Sequence, residues 1–250
     1  MKKWLIIFIV AFSCLPVSSY AHKYKSMEVK NGGSIRGTVR YTGKTVPQDR
    51  TYTLLSDVKY CGKQYRTEKY LINGDREIKN VVVYLAGIKA GKALPEKTLA
   101  IADKKCDIVP HVSIAFTGNK FKIENKDLVL HTAHIFAYMR GVTMFNIALP
   151  EQGSTVTRTL TRPGIMELDC DCHPWMRGYT YVFDQPYAAV TDENGEFVID
   201  NIPPGTYTVY AWHEALGLVT MANVKVEGGK VSDIKLEYST SPVVKDNGGM

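Results

Sequence analysis

The sequence predicts an all-β protein, of sandwich or barrel architecture, and three observations predict it. Apolar and polar residues alternate with a period of two in run after run. Turn signals punctuate those runs at short intervals. Amphipathic helical periodicity is nearly absent beyond the first twenty or so residues. With 250 residues, 45% hydrophobic and 22% charged, the composition excludes a disordered chain, a collagen-like fibre and a polytopic membrane protein. The formal net charge of +6 is mild and spread along the chain, which argues against a nucleic-acid partner.

Residues 1–21 read as an export signal. Lys2 and Lys3 precede an apolar run from Trp4 to Val17, and Ser19 and Ala21 place small residues at the −3 and −1 positions of a cleavage site. The run is short for a membrane span, and no other segment approaches 18 apolar residues. A lipid anchor through Cys14 is the alternative, with Ala11-Phe12-Ser13 a poor lead-in. The expected location is therefore across the inner membrane, periplasmic or extracellular, where disulfides persist. Four cysteines follow the signal: Cys61, Cys106, Cys170 and Cys172. His22 becomes the first residue after cleavage, but Lys23-Tyr24-Lys25 reads as a loose lead-in rather than part of a site.

Strands follow in order. Ser34 to Tyr41 places Ile35, Val39 and Tyr41 on one face and Arg36 and Arg40 on the other. Val112–Phe116, Lys120–Glu124, Ile165–Asp169, Tyr179–Phe183, Glu196–Ile199, Thr206–Trp212 and Val224–Val226 read as further strands, most of them alternating. Thr117-Gly118-Asn119, Glu193-Asn194-Gly195, Pro203-Pro204-Gly205 and Glu227-Gly228-Gly229 supply turns. Residues 239–250 read as a loose polar tail.

Two family resemblances appear in these strands. The segments Gly33 to Val39 and Thr191 to Val209, with its Asp-Glu-Asn-Gly-Glu-Phe-Val-Ile-Asp-Asn-Ile-Pro-Pro-Gly-Thr-Tyr core, resemble the opening and closing parts of a carboxypeptidase regulatory-like module, a prealbumin-like and carbohydrate-binding-like β-sandwich. Between them, Cys106 to His131 and the Cys170-x-x-His173-x-x-Met176 loop resemble the first strands and the closing ligand loop of a cupredoxin, the plastocyanin-like blue-copper domain. The resemblances imply a Greek-key cupredoxin sandwich (residues 97–183) inserted into a smaller sandwich whose halves are residues 30–96 and 184–238. The carboxypeptidase-like resemblance concerns a non-catalytic accessory module and implies no peptidase.

The chemistry concentrates at residues 170–176, Cys-Asp-Cys-His-Pro-Trp-Met. A thiolate, an imidazole and a thioether within seven residues are soft donors that suit copper, Cu(I) especially, and a second imidazole from a distant strand would complete a His₂Cys site with a weak axial Met. By resemblance that imidazole is His131, giving the set His131, Cys170, His173 and Met176. His134 competes, although positions i and i+3 of a strand face opposite sides. Thr132 stands where the family often has Asn. Cys172 is an alternate ligand, since on a strand end it would point the same way as Cys170, but two residues is a shorter spacing than binuclear copper centres use. No Cys-x-x-Cys-His haem string occurs. Of the three pairings open to the four cysteines, Cys61–Cys106 leaves free the thiolate that the resemblance requires. His111 and His213 read as structural histidines, and Pro174 and Trp175 as a docking patch around an exposed ligand histidine or a cover on the site.

No phosphate loop, nucleophile elbow or His-Glu-x-x-His string is present, so the expectation is no enzyme. It is an exported copper protein that exchanges electrons with a redox partner such as a cytochrome. Two alternatives stand beside it. One is a carbohydrate- or envelope-binding sandwich, suggested by 3 Trp, 15 Tyr and 8 Phe. The other is a Cu(I) carrier using Cys172.

Overall fold

The computed structural model describes residues 24–138 and 141–239. The expected signal, with Cys14 and His22, and nearly all of the C-terminal tail lie outside them. The described chain is β throughout, with one helical turn, Val58–Cys61. No helix among the described residues is long and apolar enough to cross a membrane.

Two sheets share the first core. Glu196–Ile202, Gly33–Tyr41 and Val231–Tyr238 form one; Ala188–Val190, Val82–Ala86, Gly205–His213 and Gly217–Val226 form the other. The alternation in Gly33–Tyr41 becomes burial: Ile35, Val39 and Tyr41 point into the core while Arg36 and Arg40 face outward. Ile78, Leu85, Tyr187, Phe197, Val209 and Leu236 fill the space between the sheets.

Strands from residue 99 to 183 make two further sheets. Thr155–Thr159, Lys120–Asn125, Leu99–Asp103 and Ile108–Val109 form a four-stranded sheet. The five-stranded sheet opposite runs in the order Val142–Leu149, His131–Ala137, Gly164–Asp169, Arg177–Phe183, Val112–Phe116. Ile101, Phe121, Ile123, Ile135, Leu149 and Leu168 pack between them, and Cys170 and Met176 lie in the same core. At Gly178 the outgoing strand passes so close to Ile108 that an added Cβ would sit 2.7 Å from its methyl carbon, so glycine is what permits this approach. Val82 and Trp212 of the first pair of sheets meet Val112, Phe116, Tyr179 and Phe183 of the second in a separate apolar cluster.

His213 and His111 lie near that junction. His213 is fully buried and its Nδ1 accepts from the backbone N–H groups of Ala215 (3.1 Å) and Leu216 (3.2 Å). The buried His111 ring pairs through Nε2 with Glu214. Both are structural. Burial, which penalises the imidazolium, pushes the His213 pKa down to about 4. The unfolded chain therefore binds this proton when the folded chain does not, and stability falls as pH drops from about 6.5 towards 4, by about 3 kcal/mol in all. Urea melts from pH 7 to 4 check this: His213→Asn should flatten that part of the profile, whereas an unchanged slope would place the loss elsewhere.

Candidate metal centre

The loop after Gly164–Asp169 explains why its donors recur every third residue. The strand ends at Asp169, and two successive turns follow, with the N–H of His173 bonded to the Cys170 carbonyl (3.2 Å) and that of Met176 to the His173 carbonyl (2.9 Å). Turns closed at i+3 bring residues i and i+3 to one side, so Cys170, His173 and Met176 all turn into the core, 2%, 0% and 1% exposed. Cys172, at i+2, is half-buried and stays outside the converging group. Its thiol nonetheless lies against Cys170 and donates to it, although residues 171–172 are turn and not strand. At the base of the loop the paired residues Asp169 and Arg177 close it with a bidentate ion pair, both contacts 2.9 Å.

The second imidazole comes from His131–Ala137, where strand parity decides between the two histidines. His131 is wholly buried and Ala133 beside it in phase, while His134 points to the opposite face. There His134 bonds Asp171 (2.7 Å) and Thr143 (2.9 Å), remote from the converging donors.

Those donors are His131 Nδ1, His173 Nδ1 and Cys170 Sγ. Sulfur lies 3.7 Å and 3.6 Å from the two nitrogens, which are 3.0 Å apart. The point equidistant from all three is about 2.0 Å from each, within a few tenths of an ångström of ordinary metal–nitrogen and metal–thiolate bond lengths. The donor set and its spacing fit a copper ion, with His131, His173 and Cys170 holding it and Met176 buried beside them.

Outer partners fix the tautomers. His131 Nε2 is 3.0 Å from Asp127 and His173 Nε2 is 2.9 Å from Asp57. A carboxylate accepts, so each Nε2 carries the proton and each Nδ1 presents a bare lone pair to its neighbour and to sulfur. Two lone pairs 3.0 Å apart beside a thiolate repel one another in a dry pocket, and a cation at the centre relieves that repulsion. Burial alone would raise the Cys170 pKa; a further proton taken up by either imidazole sits at Nδ1 and is donated to sulfur, and those hydrogen bonds, with the backbone N–H groups of Thr132 and Cys172, bring it down to about 5. Thr132 does the tying work at the position where the family often has Asn. Its N–H is 3.3 Å from the sulfur, and its hydroxyl accepts from the Asp171 N–H at 2.7 Å.

Asp57 was not legible as a site residue. It belongs to a strap, residues 54–66, that lies across the metal loop. Ser56 donates to the Cys172 carbonyl (3.2 Å), Tyr60 donates to Asp127 (3.2 Å), and the Tyr65 ring faces Trp175. The disulfide Cys61–Cys106 ties the strap down; closing a 45-residue separation contributes on the order of 4 kcal/mol. Of the two readings of Pro174 and Trp175, the cover is the one found: His173 is buried, and Trp175 packs on its ring (4.9 Å) while donating to the Cys106 carbonyl. Asp103, a buried carboxyl near the centre with one unpaired oxygen, is pushed up to about 7, chiefly by burial.

Comparisons with known proteins cover parts of the chain. Residues 182–234 match the profile described as Polysaccharide lyase family 4, domain II, and not the carboxypeptidase regulatory-like module expected from the closing motif. No curated protein matches. Among solved structures, the chain is 21% identical to a Cu-containing nitrite reductase from Thermus scotoductus SA-01, over 37% of this chain and 24% of that one (TM-score 0.30). It therefore spans about a quarter of that relative's length. It is 17% identical to amicyanin from Paracoccus versutus, over 36% and 85% (TM-score 0.30), and 16% identical to a purple cupredoxin from Nitrosopumilus maritimus, over 34% and 98% (TM-score 0.29). The assignment of the centre rests on its own geometry.

Outer carboxylates of this kind are worth 10–100-fold in metal affinity. Asp57→Ala and Asp127→Ala should each weaken copper binding by about that factor in a competition titration against a chelator. Asp127 also accepts from the Lys105 and Cys106 N–H groups (2.6 and 2.7 Å), so its removal lowers the melting temperature as well. Unchanged affinity in both variants would show that the carboxylates do not set the tautomers.

Proposed function

We propose that the protein is an exported copper protein that passes single electrons between partners. Cys170 supplies the thiolate, His131 and His173 the imidazoles and Met176 the weak axial thioether. The observation that carries the reading is the convergence of three buried donor atoms on one point about 2.0 Å from each. Copper bound there supplies a one-electron couple. The chain's own contribution is rigidity. His131 and His173 are clamped at Nε2, Cys170 is held by Thr132, and the loop ends are closed by Asp169 and Arg177, so the donors need not move when the charge changes. Nothing in this role calls for a bound substrate, and we read the protein as a carrier rather than a catalyst, working outside the cytoplasm where the Cys61–Cys106 disulfide persists. The sulfur-rich carrier reading would draw on Cys172, whose thiol lies beside Cys170 but outside the converging group.

Protein loaded with Cu(II) should show intense visible absorption from thiolate-to-copper charge transfer, and Cys170→Ser should abolish it. Stoichiometric copper without that band in the parent protein would contradict electron transfer at this centre.

One observation favours a second reading. A cavity of about 520 Å³ opens where Tyr24, Tyr84, Tyr181 and Phe183 meet Lys89 and Gln185. Aromatic rings with polar neighbours suit a sugar, so a carbohydrate-binding role for this cleft stands as an alternative. Glycan binding that survives both metal stripping and Cys170→Ser, and is lost in Tyr24→Ala, would support it. Absence of glycan binding by the parent protein would end it.

A further inference from the structure

We propose that the strap face over His173 is the electron port, and that it docks a one-electron redox protein presenting an acidic surface. This rests on the copper reading and adds where the centre meets its partner.

Both buried ligand imidazoles are linked to the surface on this face through a hydrogen-bonded carboxylate. The His173 ring is bonded to Asp57, whose side chain is 44% exposed. The His131 ring is bonded to Asp127, which accepts from the hydroxyl of Tyr60, itself 40% exposed. Each route from metal to solvent is one imidazole and one hydrogen-bonded carboxylate, extended in the second case by a phenol. The two emerge three residues apart on the strap.

Charge on this face is segregated. Lys59 and Lys63 on the strap, Lys104 and Lys105 beside the cysteine that anchors it, and Lys126 beside Asp127 are all exposed. The carboxylates of the same segments are engaged by the site: Asp57 by His173, Asp127 by His131 and two backbone N–H groups, and Asp107 by the Ile108 N–H and Tyr65. Five ammonium groups therefore face solvent around the exit of both routes. Exposed apolar side chains accompany them: Leu55 at 92%, Leu128 at 71% and Leu130 at 43%. An apolar centre with a charged rim is the composition of a transient protein interface, and a basic rim steers an acidic partner towards it.

The test uses the intact copper-loaded protein, reduced to Cu(I), mixed in a stopped-flow instrument with an anionic oxidant, hexacyanoferrate(III), or a cationic one, tris(1,10-phenanthroline)cobalt(III). One electron leaves copper and reduces the probe, with no bond made or broken. At low ionic strength Lys59→Glu/Lys105→Glu should slow the anionic reaction about tenfold or more and speed the cationic one, and high salt should remove both effects. Lys30→Glu/Lys235→Glu makes the same change in net charge at exposed positions elsewhere, and should leave both rates within about twofold of the parent. Equal effects of the two double variants, or no inversion between the probes, would overturn the port. Failure of the copper reading shows separately, as a parent protein without the thiolate band.

Discussion

Two imidazole rings, each clamped by a carboxylate at its outer nitrogen, leave their inner nitrogens 3.0 Å apart with nothing to donate. That constraint organises the rest of the site. It gathers two lone pairs and a thiol sulfur into one buried volume, an arrangement that a soft cation satisfies well. The surrounding hydrogen bonds hold this geometry in advance. Threonine fixes the sulfur, successive turns fix the loop, and an arginine fork closes its base.

The centre is not built by one pair of sheets alone. Asp127 comes from the turn after Lys120–Asn125, but Asp57 arrives on a strap preceding all the strands of the second pair of sheets and is separated from His173 by 116 residues. The disulfide between Cys61 and Cys106 brings the two together, placing one sulfur 3.9 Å from the His173 ring. The strap therefore serves two purposes. It excludes water from the ligands, which strengthens every electrostatic contact inside, and it carries the exposed groups through which the ligands meet the surface.

Much of this was legible in the residues. The all-β class followed from alternation: Ile35, Val39 and Tyr41 recur on one face because a buried sheet face demands it. The choice of His131 over His134 followed from the cupredoxin resemblance, with strand parity setting the two histidines on opposite faces, and the soft donors Cys170, His173 and Met176 within seven residues marked the loop where they meet. Asp57 was hidden for a physical reason. A hydrogen bond between distant loops leaves no period in the sequence, so nothing around Asp57 marks it as a partner of His173. Cys172 lies beside Cys170 without joining the converging donors, in a turn that continues no strand. The burial of His173 depends on a strap packed over it, which no local pattern announces.

X-ray absorption at the copper edge of the loaded protein tests the central claim most directly. The account predicts a first shell of two imidazole nitrogens and one short sulfur, with the sulfur removed by Cys170→Ser and one nitrogen by His131→Ala. A shell of nitrogen and oxygen alone, or one indifferent to both substitutions, would contradict it.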